Sequence, residues 1–147
     1  MREANLEDLV GVFKLLQEHV DDLPLALSFR DETVQKTICN AYAGKDSELF
    51  IDEANDELTG AVGIAAAGIP FDAELVVASV WFLVSKDAVT RQKLLCKAAS
   101  WARDKGLTKL VLFSNDAGDD FVCRGKVFVK ELGKHNGTSN ADSPAVG

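Results

Sequence analysis

The chain has 147 residues, 47% of them hydrophobic and 27% charged, which is the composition of one globular domain and excludes a disordered polypeptide. A formal net charge of −7 argues against a nucleic-acid partner, because a phosphate-backbone reader carries a basic patch. The longest apolar run, residues 75–84, is too short to span a bilayer, so no membrane association is expected.

Residues 2–4 read as a short opening strand. Asn5 then offers a side-chain oxygen as a helix N-cap, with Glu7 and Asp8 placing negative charge in the first turn. Leu6, Leu9, Val10, Phe13, Leu16 and Val20 recur at helical spacing and predict one apolar face, closed by Pro24. A second helix, capped by Ser28 or Asp31, is predicted to bury Val34, Ile38, Ala41 and Tyr42 and to stop at Gly44.

The period then changes from helix to strand. Residues 49–51 form a short apolar run, Asn55-Asp56 a turn, and residues 58–69 a strand interrupted by glycines and ended by Pro70. Small residues over 61–68 are expected to let helices pack closely on the sheet. Residues 75–84 (LVVASVWFLV) are apolar at nearly every position, as in a central strand covered on both faces. A helix over residues 90–105 follows, packed through Leu94, Leu95, Ala98 and Trp101 and ended by Gly106. Residues 109–113 (KLVLF) predict a further strand, and a last helix from Asp119 or Asp120 would use Phe121, Phe128 and Leu132. Trp81 and Trp101 are both expected in the core. The expected organisation is one α/β (α+β) domain over residues 1–133, with a mixed central sheet and about four helices, and a disordered tail over residues 134–147.

Cys39, Cys96 and Cys123 form no CxxC pair, and His19 and His135 are the only imidazoles, so no zinc-ligand spacing is present and no metal is expected. The cysteines read as small reduced hydrophobes in helices, which fits a cytoplasmic protein without a signal segment. The acidic run over residues 115–120 lacks the alternate-ligand spacing of a calcium loop and reads as a turn with an N-cap.

The order strand, two helices, antiparallel strands, helix, strand, helix resembles the GNAT N-acetyltransferases. The local likeness is greatest over residues 77–106, where a long apolar strand and a short polar loop lead into LLCKAASWARDKG; GKVFVKELG near residue 133 continues it. Shortened acetyltransferase-like proteins of phages share this character. The resemblance implies acetyl-CoA as the cofactor and acetyl transfer to an amine. It places the cofactor on the main chain of residues 83–86, among them Leu83, Val84 and Lys86, on the helix start at Thr90, Arg91 and Gln92, and on the polar contact Asn115. Glu74, at the entrance to the strand over 75–84, is the candidate carboxylate for deprotonating the amine.

Three departures accompany the likeness. In the family, the loop before this helix carries a basic residue and two glycines that let backbone N–H groups wrap the pyrophosphate. Here Lys86 keeps the basic position, whereas Val89 and Arg91 stand at the glycine positions and Asp87 adds negative charge, so cofactor binding is expected to be weak or lost. Val129 stands where many members place the tyrosine that protonates the thiolate. The residues after Gly133 cannot build the family's final strand pair, so an oligomer or a partner protein is expected at the C-terminal sheet edge. The alternative function is therefore a catalytically inactive GNAT-like binding or structural protein, such as a component of a virus particle.

Overall fold

A computed structural model describes residues 1–20, 30–69, 72–112, 121–122, 130 and 132, with the backbone alone at residues 69 and 72–75. Among these residues are five strands, β1 (Arg2–Glu3), β2 (Ser47–Ala54), β3 (Glu57–Ile69), β4 (Asp72–Ser85) and β5 (Leu110–Leu112), in the spatial order β1-β2-β3-β4-β5. All neighbours are antiparallel except β4 and β5, which run parallel. Three helices are present among the described residues: α1 (Leu9–Glu18), α2 (Asp31–Ala43) and α3 (Ala88–Asp104). The mixed α/β class expected from the sequence is the one found.

Local chemistry sets the element ends. Asn5 caps the opening turn, accepting from the Glu7 N–H at 3.0 Å while its own N–H donates to Asp8 Oδ2 at 2.8 Å, a reciprocal pair that satisfies two otherwise unpaired donors. Arg2 clamps the same carboxylate from β1 at 2.8 Å and 3.2 Å, and holds Asp8 below the usual carboxylate range. The β2–β3 turn places Asn55 and Asp56 at φ of 54° and 65°, the left-handed pair that a two-residue hairpin needs and that these residue types tolerate. At the end of α3, Gly106 has φ 77°; its N–H donates to the Arg103 carbonyl and the Leu107 N–H to the Ala102 carbonyl, closing the helix as the glycine predicts.

Two cores sandwich the sheet. On one face α1 and α2 bury Val12, Leu15, Leu16, Ile38 and Ala41 against Leu49, Ile51, Ala61, Phe82 and Val84. On the other, Leu94, Ala98, Trp101 and Ala102 of α3 cover Phe50, Val62, Ile64, Ala78 and Val80. The packing residues expected of α3, including a buried Trp101, are those observed.

Several expectations need correction. The apolar face of α1 is centred on Val12, Leu15 and Leu16; Leu6 and Val10 are exposed, because Leu6 falls in a 3₁₀ turn that shifts the helical phase. Cys39 and Cys96 are exposed, since each points away from the sheet. Trp81 is 43% exposed rather than buried. The cause is a bulge in β4: Phe82 pairs with Gly63 and Val80 with Ile64, which leaves Trp81 as an extra residue without a partner. The extra residue reverses the alternation, so Val80 faces α3 while Phe82 faces α1 and α2. The small residues of β3 also divide. Gly60, just before the stretch expected to admit a helix, lies under Thr90 and Leu94 of α3, whereas Gly63 within it lies under the Phe82 ring of the neighbouring strand. Phe121, Val122, Lys130 and Leu132 are not helical. The rest of the expected last helix, Val129, and the tail over residues 134–147 lie outside the described residues.

Candidate active site

The β4–β5 pairing covers Ala78–Val80 against Leu110–Leu112, whereas β4 continues to Ser85. Among the described residues, positions 81–85 therefore have a strand neighbour on the β3 side alone. The Lys86 N–H donates to the Thr59 carbonyl at 2.9 Å, so Lys86 and Val84 turn their main-chain groups toward β3. By the same two-residue period, those of Leu83 and Ser85 face the side away from β3. The bulge makes this possible: before it, the Ala78 N–H faces β5 and donates to the Lys109 carbonyl.

At the end of this edge a cleft of about 270 Å³ is lined by His19, Leu83, Val84, Ser85, Asp87 and Arg91, with Ala88 at the helix start. His19 stands in the turn that ends α1. Its Nδ1 lies 2.9 Å from the Leu15 carbonyl oxygen, which only accepts; Nδ1 therefore carries the proton, and in the neutral ring Nε2 presents a lone pair.

The N-terminus of α3 forms the wall where an anion would dock. Asp87 occupies it. Its carboxylate accepts the Thr90 N–H at 2.7 Å, and the Ser85 hydroxyl donates to the Asp87 carbonyl at 2.9 Å. The Thr90 N–H, then the Thr90 hydroxyl, lower the Asp87 carboxyl below its usual value, and the Val89 N–H adds to this. The helix donors that would bind phosphate thus already serve a side chain of the protein. Val89 is 67% exposed and lies within the helix, as does Arg91, and neither has a positive φ. A β-branched residue suits an unusual conformation poorly, but here the backbone is ordinary helix and no such strain arises. What Val89 changes is the room for a close-approaching ligand.

The structure gathers Leu83, Val84 and Arg91 of the sequence candidates in the cleft and disperses the others. Thr90 is buried, with its N–H on Asp87 and its methyl over Gly60. Gln92 is on the outer side of α3, its amide 3.7 Å from Cys96 Sγ. Lys86 extends toward Glu57, 3.9 Å away. Glu74 belongs to β4, but its side chain, like all of Asn115, lies outside the described residues. His19 was missed. An imidazole at the end of an amphipathic helix, in a chain with two histidines, was the available signal for it. Ser85 lies within the main-chain stretch 83–86 that the resemblance marked, and it lines the cleft.

No protein-family model matches the chain, and no curated protein matches it in sequence. Solved structures do match in shape. A predicted acetyltransferase from Clostridium acetobutylicum, solved with acetyl-CoA, superposes at a TM-score of 0.63 with 14% identity, covering 84% of this chain and 94% of that one. A ribosomal-protein-alanine N-acetyltransferase from Brucella melitensis biovar Abortus gives 0.61 with 15% identity over 88% of this chain and 95% of its own. An aminoglycoside 6'-N-acetyltransferase from Acinetobacter haemolyticus gives 0.65 with 10% identity over 89% and 97%. Identity this low speaks for the fold alone, and the fold is the one that the helix after β4 suggested: the chain is a divergent protein of the GNAT acetyltransferase fold.

Proposed function

We propose that this protein transfers an acetyl group from acetyl-CoA to an amine along residues 81–85 of β4. The observation that carries the reading is the β4 edge over residues 81–85, which has no strand neighbour on the side away from β3 among the described residues and leads to the N-terminus of α3, in a fold shared with acetyltransferases. An amide-bearing arm fits such an edge, because the main-chain groups of Leu83 and Ser85 offer it the hydrogen bonds of a missing strand. The pyrophosphate end fits poorly, since Asp87 takes the helix donors; Arg91 is the cation in the cleft that faces that end. Acetyl-CoA supplies a thioester whose carbonyl carbon an amine attacks. The chain's own part is to orient that carbonyl through outward N–H groups of β4, and to accept the amine proton at His19 Nε2.

Release of free thiol from acetyl-CoA, followed with a panel of small primary amines, tests this reading. Amine-dependent release that falls at least roughly tenfold in His19→Gln, within the range that positioned acid–base groups contribute, is expected. No amine-dependent release under any condition would overturn it. A second reading is a GNAT-fold binding protein without catalysis, and the capping of the anion site by Asp87 is what favours it. Acetyl-CoA binding without turnover would select that reading.

A further inference from the structure

A second concavity, of about 370 Å³, opens on the α1/α2 face at the other end of the same β4 edge. Asn40, Asp46, Ser47, Ala65, Ala66 and Trp81 line it, with the last residues of α2. A large aromatic side chain is costly to leave in water, yet the bulge rotates Trp81 out of both cores and leaves it 43% exposed beside this pocket. The opposite wall is electronegative. It holds Asp46 and the carbonyl end of α2, a helix with no basic residue in its last turn to offset its dipole; its Asn40 and Ala41 carbonyls accept from the uncharged Ser47 hydroxyl, and that of Asn40 also from the Gly44 N–H. Lys45, next to Asp46 in sequence, does not line it.

A tryptophan, an acidic residue and the negative end of a helix dipole together favour an organic cation. We propose that this pocket holds a protonated amine of a substrate that carries at least two amines, while the second amine reaches the edge at Leu83. The inference rests on the acetyl-transfer reading for the fate of that second amine, but not for the binding itself. Trp81 and Leu83 are separated by about 7 Å along the strand, roughly the reach of a five-carbon spacer. The pocket is thus a specificity site, selecting diamines over monoamines and neutral alcohols.

The chain has two tryptophans, Trp81 and Trp101, and therefore two indole N–H signals by NMR, which Trp81→Phe assigns. Titration of the wild-type protein with cadaverine should shift the Trp81 signal saturably and leave that of buried Trp101 in place. Pentanediol, of the same length without charge, should shift neither. Asp46→Asn should weaken the cadaverine affinity roughly fivefold, the size of a partly exposed ion pair. An equal response to pentanediol, no saturable shift, or an unchanged affinity in Asp46→Asn would each overturn the proposal. The diamine–diol comparison needs no variant, so a misfolded mutant cannot shelter it. Cadaverine binding without thiol release from acetyl-CoA would sink the acetyl-transfer reading and leave the pocket standing. Acetylation of monoamines with no cadaverine binding would do the reverse.

Discussion

Replacing Gly63 by alanine tests whether the Phe82 ring holds the β4 bulge in place. A Cβ added at Gly63 meets Phe82 Cε1 at 2.5 Å, Cζ at 2.8 Å and Cδ1 at 3.0 Å. Carbon atoms in contact sit about 3.5–4.0 Å apart, so the ring must withdraw by about 1 Å. It has little room, being buried in the α1/α2 core with Leu16, Ile38 and Ile51. Overpacking of this kind costs about 1–3 kcal/mol, offset by the 0.5–1 kcal/mol or so that alanine regains over glycine in a strand. The net loss of about 1–2 kcal/mol lowers the melting temperature by roughly 3–6 °C. Gly68 is the internal control: nothing lies within 4 Å of its added Cβ, so Gly68→Ala should raise the melting temperature slightly. Thermal unfolding followed by circular dichroism reads both. Combining Gly63→Ala with Phe82→Leu should cost less than the two single changes summed, by about 1 kcal/mol. Strictly additive effects, or a Gly63→Ala protein as stable as the wild type, would show that the ring does not seat on this glycine and that the bulge has another cause.

The two tryptophans should respond oppositely to truncation. Trp101→Ala removes a buried ring of the α3 core that Lys105 covers at 5.8 Å, and should cost about 3–5 kcal/mol, whereas Trp81→Ala should change stability by less than about 1 kcal/mol; urea unfolding of each variant separates them. Glu48 is pushed above the usual carboxylate range by burial first and by Glu3 second, with Lys105 acting against it. A carboxyl raised in the folded state stabilises below its unfolded pKa and loses that contribution as pH rises through the folded pKa. Glu48→Gln should therefore melt about 1–3 °C higher than the wild type near neutral pH, and the gap should close in acid; an equal gap at pH near 3 would refute the assignment.

Much of the fold was legible because its elements announce their periods. The helical spacing of Leu94, Leu95, Ala98 and Trp101, the Asn55-Asp56 turn and the glycine at 106 each fix an element through local chemistry, and each is found where the residues put it. Positions that depend on the pairing of distant strands were not legible. Residues 75–84 are apolar throughout, so nothing in them marks where the alternation reverses; only the register against β3 shows that Trp81 is the extra residue. For the same reason a tryptophan expected in the core emerged as the wall of a pocket. The candidate site was half legible. Its loop and Leu83 were identified through the GNAT likeness, but the sequence could show Asp87 only as a negative charge near an anion site. Its role as the cap that occupies the Thr90 N–H requires the backbone geometry at φ −152° and ψ 167°. His19 reaches the cleft from α1, 64 residues before Leu83 in the chain, a proximity that no local pattern encodes.

Acetyl-CoA must use this edge despite the Asp87 carboxylate at its phosphate end. Calorimetric titration of the wild-type chain and of Asp87→Asn with acetyl-CoA, at low salt and neutral pH, tests this directly. Asparagine still caps a helix but carries no charge, so the substitution separates repulsion from folding. The predicted result is a wild-type dissociation constant no tighter than about the tens-of-micromolar range, with binding roughly threefold or more tighter in Asp87→Asn. A submicromolar constant for the wild type, or no difference between the two proteins, would contradict the claim that Asp87 stands in the place of the phosphate.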